Sequence, residues 1–290
     1  MTEEYFDACL LCGSEKLSAL TKYSKHHLVR CVNCSFVFSR KKPSLSELLS
    51  IYNYYPIFQT MSPITLNRFD ELLDYLEQFR KTNNLIDVGS GDGYFLDRAK
   101  LRGWNVFGTE FTDDKVAFSR SKGIAMHKGV LDVKNYSPGF FDVIISIEVL
   151  EHINNPLDEI AKFSTLLRQG GAVYLTTPNF NSVSKLLLGE NWNIVYYPEH
   201  LSYYTSKTLR MLFGKSGFET MKLRTTGISF SRAQQSVNDA SRAGEFTATD
   251  EKVRQVVEHN PLLSFAKKII NGVLNVFKAG DSLKAVFIKR

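Results

Sequence analysis

The sequence lacks any run of eighteen apolar residues, the length at which a helix can cross a bilayer. It has four cysteines in 290 residues, all within the first 34, which excludes a small disulfide scaffold. It also has no internal repeat and no low-complexity tract. With 43% hydrophobic and 23% charged residues, its composition is that of a globular protein and excludes a disordered chain. The first residues have neither a basic start nor an apolar run, so we expect no signal peptide and a cytoplasmic protein.

The formal net charge is a mild +6, and most of the excess lies in one region. Residues 181–290 contain sixteen basic and nine acidic side chains, an excess of 7. Such a basic region attracts phosphate, whether in nucleic acid, lipid headgroups or nucleotide sugars. A solvated surface with a few additional lysines explains the count equally well.

The four cysteines form two C-x2-C pairs, Cys9–Cys12 and Cys31–Cys34, with eighteen residues between the pairs. Two such pairs supply four thiolates, which complete a tetrahedral zinc site and leave no position open for chemistry. The apolar residues 36–38 and short strands between residues 18 and 30 indicate a zinc-ribbon-like module. Disulfides or a redox C-x-x-C pair are the less favoured interpretations.

Downstream, apolar segments alternate between the periods of strands and helices. A helix over 63–80 begins at the N-cap Ser62. We predict strands at 85–88, 105–109, 124–127, 142–147, 172–176, 218–224 and 283–289, and helices at 95–102, 113–122, 157–167, 206–215 and 262–277. Gly170 and Gly171 are expected to end the helix at 157–167. This alternation predicts a parallel sheet with helices on both faces.

A glycine loop, Asp87-Val-Gly-Ser-Gly-Asp-Gly93, follows the first of these strands. Glycines there let the backbone approach a ligand closely. A dinucleotide fingerprint G-x-G-x-x-G would need glycine at position 94, which is Tyr94. Asp87 would repel a pyrophosphate but hold a cationic amino-acid group. Glu110, at the end of the next strand, is placed to accept both ribose hydroxyls.

From about residue 84 to 224, and in the last strand, these motifs resemble the class I S-adenosylmethionine-dependent methyltransferases. The resemblance implies an α/β, Rossmann-like seven-stranded sheet whose last strand is antiparallel, with helices on both faces. It also implies S-adenosylmethionine as the cofactor. The residues that would bind it are Asp87, Gly89, Ser90, Gly91, Gly93, Glu110, Val130, Leu131 and Ser146. Val130 replaces the acid often found beside the adenine. A domain that has lost its ligand is the alternative.

The acceptor site is expected beyond the carboxyl ends of the fourth and fifth strands. The segment 192–204 concentrates aromatic rings, which stack on sugars and keep a polar group for hydrogen bonding. His200 is our candidate general base, since its reference pKa lies near 6.5. The other catalytic candidates are Glu199, Tyr197, His152 and Glu148. The alternative is an apolar lid in which His200 only completes the packing.

The Tyr-Pro-Glu-His-Leu run at 197–201 resembles methyltransferases of sugar and surface-polysaccharide pathways, some of which carry a zinc module. We therefore expect a zinc-ribbon-like module at 1–45, a linking helical segment at 46–83 and a methyltransferase domain at 84–290. Acceptor-covering insertions are expected at about 180–205 and 228–280. The favoured acceptor is a sugar hydroxyl, in a nucleotide sugar or a growing glycan. Ribosomal RNA and a non-catalytic scaffold role are the alternatives.

Three further features allow two interpretations each. Glu148, Glu151 and His152 could ligate a metal, as in some RNA-end methyltransferases, but no further histidine follows in the usual neighbouring position. Residues 51–56 could form a lid over the cofactor or a plain linker. The amphipathic segment 262–277 is more typical of a core or dimer contact than of a membrane-surface anchor.

Overall fold

The computed structural model describes residues 4–52, 56–227 and 260–290. Its strands are β1 (Leu17–Ala19), β2 (Leu28–Cys31), β3 (Val37–Ser39), β4 (Asn84–Val88), β5 (Asn105–Glu110), β6 (Ala125–Lys128), β7 (Phe141–Ile147), β8 (Leu167–Pro178), β9 (Ser202–Tyr203), β10 (Phe218–Thr226) and β11 (Ser282–Lys289). Its helices are α1 (Leu45–Tyr52), α2 (Pro63–Leu76), α3 (Tyr94–Leu101), α4 (Asp113–Ser121), α5 (Pro156–Leu166), α6 (Val183–Leu188), α7 (Ser206–Lys215) and α8 (Pro261–Val276). None of the helices in these ranges is long and apolar enough to span a bilayer.

Seven strands form one mixed sheet in the order β10-β11-β8-β7-β4-β5-β6. The strands from β8 to β6 run parallel, whereas β11 is antiparallel to both of its neighbours. The expected α/β, Rossmann-like sheet with an antiparallel last strand is confirmed. Because β4, β5, β7 and β8 are parallel, their carboxyl ends meet at one edge, where open sheets bind ligands.

The core lies on both faces of this sheet. The central strand β7 is buried from Phe141 to Ser146, since helices cover both of its sides. The helix α2 begins as predicted, because the Ser62 side chain accepts a hydrogen bond from the Thr65 amide at 3.2 Å. Its Leu73 and Leu76 are fully buried against the sheet.

The end of α5 corrects one sequence expectation. Gly170 and Gly171 do not end this helix, which ends at Leu166, and the glycines lie inside the twelve-residue strand β8. A Cβ on Gly171 would lie 2.9 Å from the Asp142 carbonyl oxygen. Glycine therefore permits close contact between neighbouring strands at that point.

A second, four-stranded sheet has the order β1-β2-β3-β9. Its first three strands come from the cysteine module, but β9 comes from the segment that follows β8. Val37 pairs with Tyr203, and Phe38 with Ser202, in antiparallel register. The module at 1–45 thus shares a sheet with the expected acceptor-covering segment. Of the second expected insertion, residues 228–259 lie outside the described residues.

Candidate functional site

The glycine loop connects β4 to α3 and requires the conformational freedom of glycine. Gly89, Gly91 and Gly93 have φ angles of 72°, 55° and 70°, which side chains with a Cβ rarely adopt. A Cβ on Gly93 would lie 2.6 Å from the Ser119 side-chain oxygen, whereas one on Gly91 would meet nothing within 4 Å. Gly91 therefore leaves an open surface where a ligand can approach the backbone.

Glu110, at the carboxyl end of β5, holds this loop in place. One carboxylate oxygen accepts from the Gly91 amide at 3.0 Å, and the other accepts from the Phe111 amide at 2.7 Å. The second oxygen also accepts from the amide and hydroxyl of Thr112. Glu110 thus positions the loop, a role beyond the ribose contact expected from sequence.

Asp87 is buried at the end of β4, with 4% of its surface exposed. Its Oδ1 atom has no hydrogen-bond partner among the described residues. Burial and the nearby Glu110 raise the pKa of this carboxyl group to about 7. A buried carboxyl oxygen without a partner fits a site that receives a cationic group.

The other predicted cofactor residues lie in different environments. Ser90, in the glycine loop, donates its amide to the Thr109 carbonyl at 2.9 Å. Val130 is 58% exposed, whereas Leu131 and Ser146 are each 1% exposed. Burial of these two side chains leaves only Val130 with a largely accessible side chain among these three.

Phe58 attaches the segment before α2 to the glycine loop. Its amide donates to Asp92 at 3.0 Å, and its carbonyl accepts from the Tyr94 hydroxyl at 2.8 Å. Residues 53–55 of the expected lid lie outside the described residues. The contacts of Phe58 lie outside the segment 51–56, so the lid and the plain linker both remain predictions for that segment.

The four cysteines converge in the amino-terminal module. Their sulfur atoms all lie within 4.8 Å of one another, with 3.5 Å between Cys9 and Cys34 and between Cys12 and Cys31. Burial raises the pKa of Cys9 to about 11 and also raises that of Cys34. A divalent cation would offset this cost of forming thiolates, so the donor set fits a tetrahedral zinc ion.

A second cluster lies at the carboxyl edge of the sheet. Ligand atoms of Glu151, His152 and His200 fall within 4.8 Å of one another. Glu151 is 2% exposed, and its carboxylate accepts from the Thr177 hydroxyl at 2.9 Å. His200 supplies the histidine that was not found next to Glu151 and His152 in sequence. These three side chains could hold a divalent cation or work as an acid–base group.

Backbone carbonyls set the tautomers of both histidines. His152 Nδ1 lies 2.8 Å from the Glu199 carbonyl, and His200 Nδ1 lies 2.7 Å from the Ile194 carbonyl. Because a carbonyl oxygen can only accept, each Nδ1 carries a proton and each Nε2 is the basic nitrogen of a neutral ring. Burial lowers the pKa of His152, which favours its neutral form.

The residues around His200 form a turn, so Glu199 and His200 do not alternate as neighbours along a strand would. Residues 197–199 form a turn, and the His200 amide donates to the Tyr196 carbonyl at 2.8 Å. The backbone carbonyl of Glu199 orients His152, a contact that alternation along a strand could not predict. Tyr197 lies against the amino-terminal module, with its ring centroid 5.1 Å from that of His27.

Most rings of the aromatic segment belong to the core. Trp192, Tyr203 and Tyr204 are 1%, 4% and 0% exposed, so they cannot stack on a sugar in this structure. For these three residues the lid interpretation is correct, because they pack around Phe180 and Phe36. Tyr196, 47% exposed, is the ring most accessible to an acceptor.

Sequence reasoning named Glu148 but missed its backbone conformation, and it missed His26 altogether. Glu148 has a φ of 54°, an uncommon conformation for a residue with a side chain, at the exit of β7. His26 accepts from the Tyr197 amide at 3.2 Å and belongs to the cysteine module. Neither has a signal in local sequence, since the first depends on backbone geometry and the second on docking of residues far apart in the chain.

The family model of a methyltransferase domain matches residues 64–223. The chain is 28% identical over 133 residues to a ubiquinone biosynthesis O-methyltransferase of Nitrosomonas europaea, covering 43% of this chain and 55% of that protein. It is 31% identical over 124 residues to the protein of that name from Chromobacterium violaceum, covering 40% and 53%. The chain thus spans about half the length of these curated relatives. It shares its fold with a solved SAM-dependent methyltransferase of Archaeoglobus fulgidus, with a TM-score of 0.53, 16% identity and coverage of 80% and 96%.

Proposed function

The chain belongs to the methyltransferase-domain family, and on this premise we propose that it transfers a methyl group from S-adenosylmethionine to a sugar hydroxyl. The observation that carries the proposal is the arrangement at one sheet edge. The glycine loop, Asp87 and Glu110 end β4 and β5, while the cluster of Glu151, His152 and His200 follows β7 and β8. The proposed cofactor site and the proposed acid–base group would therefore lie at the same edge of the sheet.

Residues of this chain can account for the binding of the cofactor. S-adenosylmethionine supplies a sulfonium-activated methyl group when bound. The buried carboxyl group of Asp87 would accept a hydrogen bond from the ammonium group of the cofactor. Glu110 would accept hydrogen bonds from the ribose hydroxyls while it holds the Gly91 amide. The open face of Gly91 leaves room for the close approach of a ligand.

His200 is the proposed general base. A hydroxyl group is a weak nucleophile, so a base that removes its proton accelerates transfer by roughly 10²–10⁴-fold. The Ile194 carbonyl fixes the proton on His200 Nδ1, which leaves Nε2 basic. Glu151 and the neutral His152 lie beside it and would position the ring or receive the proton.

A polar acceptor fits the surroundings of this base. Tyr196 is exposed, the Lys41 amine lies 5.5 Å from the Tyr197 ring centroid, and His26 and His27 contact the same turn. Aromatic faces with adjacent cationic and imidazole groups suit a sugar that carries phosphate. We assign the acceptor to this class, as a nucleotide sugar or a glycan.

The cysteine module is proposed to hold one structural zinc ion and to form a wall of the acceptor site. This role is supported by the pairing of β3 with β9 and by the contacts of His26 and His27 with residues 196–197. The domain division at 1–45, 46–83 and 84–290 remains a proposal. In this division, the unit at 1–45 would contribute to the acceptor site through its contacts with the unit at 84–290.

The test begins with calorimetric titration of S-adenosylmethionine into the full chain. Turnover to S-adenosylhomocysteine is then measured with nucleotide sugars, glycans and quinol or phenol acceptors. We expect binding, and turnover that depends on a sugar hydroxyl. Cofactor binding without turnover on any acceptor would support the scaffold alternative. Turnover on phenols alone would support an activity like that named for the curated relatives.

RNA is the remaining alternative acceptor. Binding to RNA would weaken steeply with salt, since each neutralised phosphate releases counterions. Methylation of ribosomal RNA, together with tight and salt-sensitive RNA binding, would refute the sugar proposal. For a variant that removes the proposed base His200, His127→Ala provides the control, because His127 lies on the edge strand β6.

A further inference from the structure

The helix α8 attaches to the protein through polar side chains. The Asn275 side-chain oxygen accepts from the Thr225 amide at 3.1 Å, and that of Asn271 accepts from the Gly227 amide at 2.8 Å. The Thr225 hydroxyl donates to the Leu274 carbonyl at 2.8 Å. Leu274 is the buried apolar side chain of this helix within the described part of the chain. Two amides thus make the contacts that an amphipathic helix usually makes with its apolar face.

The apolar residues of α8 face away from these contacts. Eight of them, from the helix and the residue after it, are between 42% and 80% exposed: Leu262, Leu263, Phe265, Ile269, Ile270, Val273, Val276 and Phe277. At the spacing of an α-helix they all fall on one side of α8, so they form one continuous stripe. Contiguous apolar surface of this kind is uncommon on a protein that stays in water and marks an interaction surface.

The charge around this stripe is of one sign. Residues 261–278 contain Lys267, Lys268 and Lys278 and no acidic residue. Lys268 also lines a shallow cavity of about 260 Å³ together with Arg224, Asn271 and Asn275. An apolar stripe with cationic flanks matches an anionic membrane surface, where acyl chains take the apolar groups and headgroups take the cations.

We propose that α8 is an interfacial helix that binds the surface of an anionic phospholipid membrane. A second copy of the chain suits this surface less well. Two α8 helices packed stripe to stripe would bring six lysines together, and the helix offers no carboxylate to neutralise them. A phospholipid headgroup provides the missing negative charge.

The helix is also placed where a membrane would reach the acceptor site. The Lys278 carbonyl, after the end of α8, accepts from the Asn179 side chain at 3.0 Å, and Asn179 follows β8. Thr225 and Gly227 lie at the end of β10, where Thr226 pairs with Ser282 and Ser282 with Pro178. The surface of α8 therefore borders the carboxyl edge of the sheet. A lipid-linked glycan could reach the acceptor site from there, a consequence that rests on the proposed function, whereas membrane binding does not.

The experiment is sedimentation of the full chain with vesicles of phosphatidylcholine alone or mixed with phosphatidylglycerol. We expect binding to the mixed vesicles that is weakened by salt. Removing the charge of Lys268 should lower the partition coefficient between water and vesicles roughly fivefold. The charge reversal Lys268→Glu should lower it by more. Phe265→Ser should lower the partition coefficient about tenfold or more, because it removes an aromatic ring that the membrane would bury.

Matched controls and competing outcomes keep the test decisive. Leu101→Ser removes an apolar side chain of α3 that is 73% exposed, against 64% for Phe265, and Lys207→Glu reverses an exposed charge on α7. Neither variant should change vesicle binding. Circular dichroism checks that each variant is folded. The proposal is overturned if the wild-type chain does not bind anionic vesicles. If that chain is also a dimer that Phe265→Ser makes monomeric, the stripe is instead an interface between two copies. Cofactor affinity is measured in parallel and reports separately on the proposed function.

Discussion

Affinity for S-adenosylmethionine should decline as the pH falls below about 7, because Asp87 must lose a proton to receive the cofactor's ammonium group. Burial and the neighbouring Glu110 raise the pKa of Asp87 to about 7 in the free protein. Binding that requires release of one proton loses about tenfold in affinity for each pH unit below that pKa. The decline ends where the carboxyl group also becomes protonated in the complex.

The raised pKa of Asp87 also makes the stability of the folded protein depend on pH. The pKa of Asp87 is raised in the folded state, so between about pH 4 and about pH 7 the folded protein keeps a proton that the unfolded chain releases. The free energy of unfolding of the cofactor-free protein therefore decreases as the pH rises through this window, by on the order of 4 kcal/mol for this group. Cofactor binding offsets the loss by supplying a cation.

Calorimetric titration from about pH 5 to about pH 8, in buffers that differ in ionisation enthalpy, measures both the affinity and the proton released. Asp87→Asn should bind the cofactor more weakly but with a flatter pH profile. This change separates the contribution of Asp87 to the pH dependence from that of His152. Asp114→Asn, on the exposed surface of α4, should keep the wild-type profile. A wild-type affinity that is constant across this range would refute the assignment of Asp87.

Three further predictions concern other parts of the site. Metal analysis should find about one zinc ion per chain, and Cys9→Ser should lower that content. His200→Ala should reduce turnover by roughly 10²–10⁴-fold with cofactor affinity nearly intact, because the base acts on the acceptor. Glu110→Ala should weaken cofactor binding by about 1.5–3 kcal/mol for each lost ribose hydrogen bond, and further because the Gly91 amide loses its acceptor.

Each of these has a result that contradicts it. A folded, zinc-free protein with four reactive thiols would rule out the metal site. Loss of cofactor affinity or of folding in His200→Ala would assign the histidine to the framework, whereas His127→Ala serves as the matched control. Unchanged affinity in Glu110→Ala would mean that its carboxylate neither binds the ribose nor holds the glycine loop in the conformation that binds the cofactor.

Sequence patterns predicted the elements whose causes are local. Ser62 and Pro63 start α2 as expected, because a side-chain cap acts within one helical turn. The glycine loop was recognised because positive φ angles demand glycine at particular positions. The pair Gly170–Gly171 misled the prediction of the α5 end, since glycine there serves a close contact between strands.

The acceptor side was predicted less well. The aromatic residues at 192–204 were expected to line a site, but Trp192, Tyr203 and Tyr204 are core residues. Composition cannot tell a stacking ring from a packing ring, because both need the same flat apolar surface. The exposure of the apolar stripe of α8 was equally hidden, since its spacing predicts an amphipathic helix but not which face meets the protein.

By itself, the sequence determined the α/β class, the glycine loop with Glu110 after the next strand, and the two cysteine pairs, because each depends on residues that are neighbours or evenly spaced in the chain. Only the tertiary structure decided that His200 meets Glu151 and His152, that β9 completes the sheet of the cysteine module, and that α8 docks through its asparagines. These contacts join segments that lie far apart in sequence. Their geometry is set by packing of the whole chain, which no local pattern records.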